Sequence, residues 1–222
     1  MAARAPRKVS RRAAMAEVAR GAGAVCLAGV SLAALVQATG RADARALRPP
    51  GALPEPDFLG ACVHCGLCVQ ACPYGTLSLA AWGQEAPAGT PFYTPRSVPC
   101  YMCKDIPCAR ACPTGALDSG LPDIRDADMG LAVLVGHEDC LNFKGMNCSI
   151  CVRVCPVRGT AISLEPGEID GRQVMIPTVH SEHCTGCGTC EKHCVTGHAS
   201  IRVLPRDLGM GGKGRNAAGR TT

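Results

Sequence analysis

The sequence predicts an α+β fold of tandem, loop-rich modules, and three observations carry that expectation. Sixteen of the seventeen cysteines fall into four groups of four, and each group contains a CxxC pair and closes with a CxxxC pair. The groups begin at positions 62, 100, 140 and 184, a period of about forty residues that marks repetition of one unit. After each fourth cysteine comes a short turn and an apolar stretch, and three of these four stretches alternate as half-buried strands do.

Taken in order, the chain opens with Arg4, Arg7 and Lys8, then Ser10, Arg11 and Arg12, and after Arg20 it enters an apolar stretch from Gly21 to Val36. Small residues follow at Ala42 and Ala44. Residues 1–44 therefore read as a twin-arginine signal peptide, since sixteen residues dominated by Ala and Gly are short and weakly apolar for a membrane span. Cys26 lies in this segment without a lipobox before it and is expected to be a bystander. Residues 45–61, with Pro49, Pro50, Pro54 and Pro56, read as a stiff linker. The four cysteine groups occupy 62–204, and the Gly-rich stretch 205–222 reads as a disordered tail.

The groups are Cys62, Cys65, Cys68 and Cys72; Cys100, Cys103, Cys108 and Cys112; Cys140, Cys148, Cys151 and Cys155; and Cys184, Cys187, Cys190 and Cys194. The first and last have the strict CxxCxxCxxxC spacing that holds [4Fe–4S] clusters in bacterial ferredoxins; the second widens its middle gap and the third its first. Four thiolates cap the four iron corners of a cubane, so sixteen cysteines predict four [4Fe–4S] clusters. A zinc site needs two CxxC pairs separated by a longer loop, without a third cysteine two residues on. Disulfides between cysteines this close along the chain would be strained local bridges.

Apolar segments follow the groups at Thr76 to Leu79, Gly115 to Leu117, Ala161 to Leu164 and Ser200 to Val203, and strands lead into the later groups at Leu131 to Val135 and Val174 to Val179. The repeated unit is strand, cluster loop, short helix, turn, strand, which is the ferredoxin pattern. Within it the third and fourth cysteines flank one helical turn, whose rise of about 6 Å lets them serve two different clusters. Pro73, Pro113 and Pro156 turn the chain after the fourth cysteine, while Val195 takes that place in the last group. Gly66, Gly186 and Gly188 let backbone amides approach the sulfurs.

Aromatic residues make up only 3% of the chain, against 26 Gly, 17 Pro and 17 Cys, so bound clusters are expected to replace an ordinary core. The net charge of +5 lies in residues 1–44, and the remainder sums to zero. Four oxidised clusters at about −2 each would bring the mature protein to roughly −8, which excludes nucleic acid as a partner. No CxxCH haem motif occurs, and with each cubane corner supplied by Cys no iron is left open for catalysis. His64, His183 and His193 beside cluster cysteines read as spectators or tuning groups, and Tyr101, Met102 and Phe143 as cluster packing.

The stretches GACVHCGLCVQACPYGTL, PCYMCKDIPCARACPTGAL, CLNFKGMNCSICVRVCPV and HCTGCGTCEKHC together resemble a MauM/NapG-type polyferredoxin, the widened third group being the most specific part. The resemblance implies tandem ferredoxin-like modules in a periplasmic, non-enzymatic carrier. It would pass electrons from a membrane quinol-oxidising Fe–S protein toward periplasmic nitrate reductase, directly or through a cytochrome c. The other branch of the family implies a maturation factor for methylamine dehydrogenase, and an Fe–S subunit of another exported molybdoenzyme is a third reading. Four-group relatives among membrane-bound molybdoenzymes further imply nested pairing, first group with fourth and second with third. That pairing would join Cys62, Cys65 and Cys68 with Cys194; Cys184, Cys187 and Cys190 with Cys72; Cys100, Cys103 and Cys108 with Cys155; and Cys140, Cys148 and Cys151 with Cys112. The residues alone leave sequential pairing open.

Overall fold

A computed structural model describes residues 46–169 and 171–210, with single positions at 11, 15 and 29. The signal peptide, Cys26 and the end of the tail lie outside the described residues. Two modules follow one another, each built around two cysteine groups.

In the first module helix α1 (Glu55–Ala61) starts behind Pro54 and carries Glu55 and Asp57 in its first turn, where negative charge suits the helix dipole. It buries Phe58 completely. Helix α2 (Leu67–Ala71) begins at Gly66, whose φ of 75° lets the chain turn sharply from the cysteine loop into the helix. Strands β1 (Ser78–Leu79) and β2 (Pro91–Phe92) pair antiparallel, and helix α3 (Pro107–Arg110) packs on α2.

In the second module β3 (Leu131–Leu134) pairs antiparallel with β6 (Ile201–Leu204), so that Leu131 faces Leu204 and Leu134 faces Ile201. Ile201 and Val203 point into the core and Arg202 out, the alternation expected of one buried sheet face. Strands β4 (Ile162–Ile169) and β5 (Arg172–Val179) form a hairpin closed at Gly171, with φ of 74°. Helices α4 (Ile150–Arg153) and α5 (Thr189–Lys192) pack together between the sheets. The order strand, cysteine loop, short helix, strand is the one read from the repeats.

Two boundaries differ from expectation. Residues 46–54 are not a free linker: Leu47 bridges Tyr93, Ala52 bridges Leu117, and Ala46, Leu47 and Arg48 are buried. Arg48 explains the difference, since its guanidinium binds both carboxylate oxygens of Glu55, the Thr90 hydroxyl and the Pro91 carbonyl while lying 4.7 Å above the Phe58 ring. Proline here stiffens a segment that side-chain contacts seal to the module. The tail is also ordered at its start, where helix α6 (Arg206–Gly209) is pinned by Arg206, which donates to Asp128, to the carbonyls of Ser181 and Cys184, and to that of Gly130. Among the described residues no helix is long and apolar enough to cross a membrane.

Candidate iron–sulfur centres

All sixteen described cysteines are free thiols, and they gather in four quartets, each lining one cavity. The first holds Cys62, Cys65, Cys68 and Cys112. The second holds Cys100, Cys103, Cys108 and Cys72. The third holds Cys184, Cys187, Cys190 and Cys155, and the fourth Cys140, Cys148, Cys151 and Cys194. Each quartet thus takes three cysteines from one group and the fourth from its partner.

The partners are sequential, first with second and third with fourth, which corrects the nested pairing. Cys194 closes the quartet of Cys140, Cys148 and Cys151 instead of that of Cys62, Cys65 and Cys68; Cys72 joins Cys100, Cys103 and Cys108; Cys112 joins Cys62, Cys65 and Cys68; and Cys155 joins Cys184, Cys187 and Cys190. The reason is local packing. Helices α2 and α3 lie side by side, so the cysteine ending each one reaches the cavity served by the other, and α4 and α5 repeat the arrangement.

The donor set fits a cubane. Four soft thiols surround each cavity with an apolar lining. Burial pushes the Cys68 and Cys151 thiols up to about 11 and those of Cys100 and Cys108 up to about 12, so without a bound group these four stay protonated. The fourth cysteines differ. Burial raises Cys72, Cys112 and Cys194 too, but hydrogen bonds outweigh it and leave all three below the ordinary thiol value. The Thr76 amide lies 3.4 Å from Cys72 Sγ, the Leu117 amide 3.4 Å from Cys112 Sγ, and the Thr196 hydroxyl 3.1 Å from Cys194 Sγ. Cys155 has Val157 where Cys112 and Cys194 have a threonine two residues on, and burial pushes it up to about 11.

The loop before the helix needs a left-handed residue, and the sequence supplies it unevenly. Gly66 and Gly188 take that conformation freely, whereas Ile106 at the corresponding place in the second group has φ of 42°. His64 and Met102, each with φ of 56°, occupy the place that Gly186 fills in the last group. Non-glycine residues here store about 1–3 kcal/mol of strain each. Of the side chains read as cluster neighbours, His64 lines the first cavity and Tyr101 the second, Met102 accepts a hydrogen bond from Thr185, and Phe143 stacks on His137. His193 is occupied with the Thr189 carbonyl.

Sequence reasoning missed Asn142, Tyr93 and Arg96. Asn142 lines the fourth cavity, accepts the Cys148 amide at 2.7 Å through Oδ1, and keeps a buried Nδ2 donor without a partner among the described residues. A donor orphaned beside four thiols suits an acceptor such as a cluster sulfur. Tyr93 is buried between the second and third quartets, with its hydroxyl donating to the Gly186 carbonyl at 2.6 Å. Only the position of Asn142 inside the widened third loop was a signal, and none existed for the other two.

Comparison with known proteins agrees with this geometry. The 4Fe-4S dicluster domain family matches residues 61–116, which hold the first two groups, and again 144–198, which hold the third from Cys148 onward together with the fourth. The chain is 78% identical over 214 residues to the methylamine utilization ferredoxin-type protein MauM of Paracoccus denitrificans, covering 96% of both chains. It is 65% identical over 215 residues to MauM of Methylorubrum extorquens, covering 97% of this chain and 98% of that one. It is also 51% identical over 209 residues to the ferredoxin-type protein NapG of Escherichia coli K12, covering 93% of this chain and 90% of that one.

Proposed function

Since the chain belongs to the MauM/NapG-type ferredoxin family, whose members are ferredoxin-type electron-transfer proteins, we propose that it is a four-centre electron carrier of the periplasm, exported folded through the twin-arginine route. The sixteen cysteines hold four [4Fe–4S] clusters, one per quartet, and what the bound clusters supply is one-electron transfer. The observation that carries this reading is the order of the quartets. The first and second share α2 and α3, the third and fourth share α4 and α5, and the second meets the third where the Cys100 amide donates to the Cys187 carbonyl at 2.8 Å. The residues' own work is to hold the clusters, screen them in an apolar shell, and aim amides and hydroxyls at the sulfurs.

The higher identity to relatives named for methylamine utilization supports service in that process, with the carrier exchanging electrons with a periplasmic or membrane redox partner during maturation of the dehydrogenase. Passage of electrons from a quinol-oxidising Fe–S protein toward nitrate reductase is the second reading, supported by the likeness to NapG across both modules. A deletion strain separates them. If the protein serves methylamine use, growth on methylamine fails while quinol-dependent nitrate reduction continues. Amine dehydrogenase activity measured with an artificial acceptor then tells maturation, where it is lost, from electron carriage, where it survives. Failure of quinol-dependent nitrate reduction alone, with viologen-driven reduction intact, establishes the second reading in its place.

A further inference from the structure

Segment 93–102 of the first module lies against the ligand-bearing backbone of the second, and its contacts are unusually directed. The Tyr93 hydroxyl donates to the Gly186 carbonyl at 2.6 Å, beside Cys187. Arg96 donates to the carbonyls of Glu191 and Cys194, both at 2.8 Å, and to that of Thr196 at 3.0 Å. Lys192 returns a bond to the Ser97 carbonyl at 2.6 Å, and the Thr185 hydroxyl reaches the Met102 sulfur at 3.4 Å. The fit is close. A Cβ on Gly188 would stand 2.4 Å from the Pro95 Cβ, and Gly188 already needs its φ of 86°.

An interface built only to glue two modules would spread its contacts over their outer surfaces. Here they fall on the loop carrying Cys184 and Cys187 and on the end of α5 that leads to Cys194, and on the other side they converge on the residues just before Cys100. The Cys100 peptide is thereby set against the Cys187 peptide, which offers a path from the Cys100 sulfur through its own backbone, across one hydrogen bond, and through the Cys187 backbone to its sulfur. Tyr93 fills the space beside that path and lines the second cavity.

We propose that Tyr93 and Arg96 are positioning residues for electron passage between the two modules, which crosses at the Cys100–Cys187 contact and makes one relay of four centres out of two dicluster units. The proposal rests on the carrier reading above. In the crossing one electron leaves the group held by Cys72, Cys100, Cys103 and Cys108 and one arrives on the group held by Cys155, Cys184, Cys187 and Cys190. The first is oxidised as the second is reduced, and no bond or proton moves. Electron tunnelling weakens as the centres and the bonds between them move apart, so loosening this seam is readable without removing any cluster ligand.

The test uses the full holoprotein, native and as Tyr93→Phe, Arg96→Gln and the double variant, reduced by dithionite-generated viologen radical. Pulsed EPR of the fully reduced protein should show one magnetic coupling inside each module and another across the seam. Freeze-quench after substoichiometric reduction reads how fast electrons spread between modules. The double variant should keep its iron and sulfide content and both couplings inside the modules, while the seam coupling weakens and equilibration slows several-fold. If it loses clusters, Tyr93→Phe, which removes one hydroxyl oxygen, carries the test by the same two readouts. A loaded variant with native seam coupling and native equilibration overturns the positioning role. Native protein whose modules exchange no electrons overturns the crossing itself, whereas native protein that binds no iron–sulfur cluster defeats the carrier reading instead.

Discussion

Removing Cys140 and Cys194 together tests the assignment of thiols to centres with a number. Both side chains line the fourth cavity, with Cys148 and Cys151. The loaded protein should carry about sixteen iron atoms, four per cubane. Cys140→Ala or Cys194→Ala alone deprives one cubane of one thiolate, so each variant should lose between about one iron, leaving a three-iron cluster, and about four, if that centre fails to assemble. The double variant strikes the same centre twice and should still hold about twelve. Nested pairing would place the two cysteines on different centres, and the double variant would then fall to about eight when each single change empties its centre. Residues acting in one unit give non-additive losses, while residues in separate units give additive ones. Iron and acid-labile sulfide are counted on anaerobically purified protein, with low-temperature EPR recording which signals remain. Additive loss in the double variant would refute the sequential pairing; Cys72→Ala with Cys103→Ala, both in the second quartet, repeats the test in the other module.

Asn142→Asp keeps the acceptor for the Cys148 amide but removes the free donor beside the fourth centre. If that donor binds the reduced centre about 1 kcal/mol more strongly than the oxidised one, its loss alone lowers the potential by about 40 mV and the new carboxylate charge lowers it further; EPR-monitored titration measures the shift, and an unchanged potential rules the contact out. Glu55→Ala leaves the buried Arg48 guanidinium without its carboxylate and should cost about 3 kcal/mol in denaturant unfolding of the loaded protein, the low end for a broken buried pair because Glu55 is partly exposed. Loading should depend on pH. With Cys100 and Cys108 pushed up to about 12 in the metal-free fold, cluster binding must expel protons, so in-vitro reconstitution should weaken as pH falls and release protons to an indicator dye. For the metal-free fold the sign reverses, because raised thiols add stability that is intact below about 9 and is lost as pH rises toward about 12; denaturant midpoints that increase over that range would contradict it.

Cysteine spacing made the three close cysteines of each group and the repeat legible because ligand geometry is written in short sequence intervals. Apolar runs also placed the strands at Leu131, Ile162, Val174 and Ile201, and the alternation at Ile201–Leu204 reflects one buried sheet face. Pairing between groups was not legible, since it depends on which helices pack side by side, and each fourth cysteine is equally able to serve either neighbour along the chain. Arg96 and Arg206 were invisible for a related reason. Each serves carbonyls distant in sequence, up to a hundred residues away for Arg96 and Thr196, and carbonyls have no sequence signature. The proline-rich start misled because composition reports stiffness and says nothing of the Arg48 contacts that bury it.

The thin apolar core gives these polar anchors their weight. Cys68, Cys108, Cys187 and Cys190 are themselves among the buried core residues, packed with Phe58, Leu117 and Ile201, so the surfaces that would join two modules in an ordinary protein are here largely ligand loops. A bound cluster ties each loop internally, but it cannot set one module against the other, because no quartet takes cysteines from both. Side chains reaching across share that task with the apolar cluster that runs through both modules. Arg96 and Tyr93 do so from the first module, and Lys192 and Thr185 from the second, with their bonds concentrated on backbone that carries cluster ligands. In the proposed relay the cysteine loops would supply the centres, and the hydrogen bonds across the seam, set beside the shared apolar cluster, would hold the two pairs as neighbours in electron transfer.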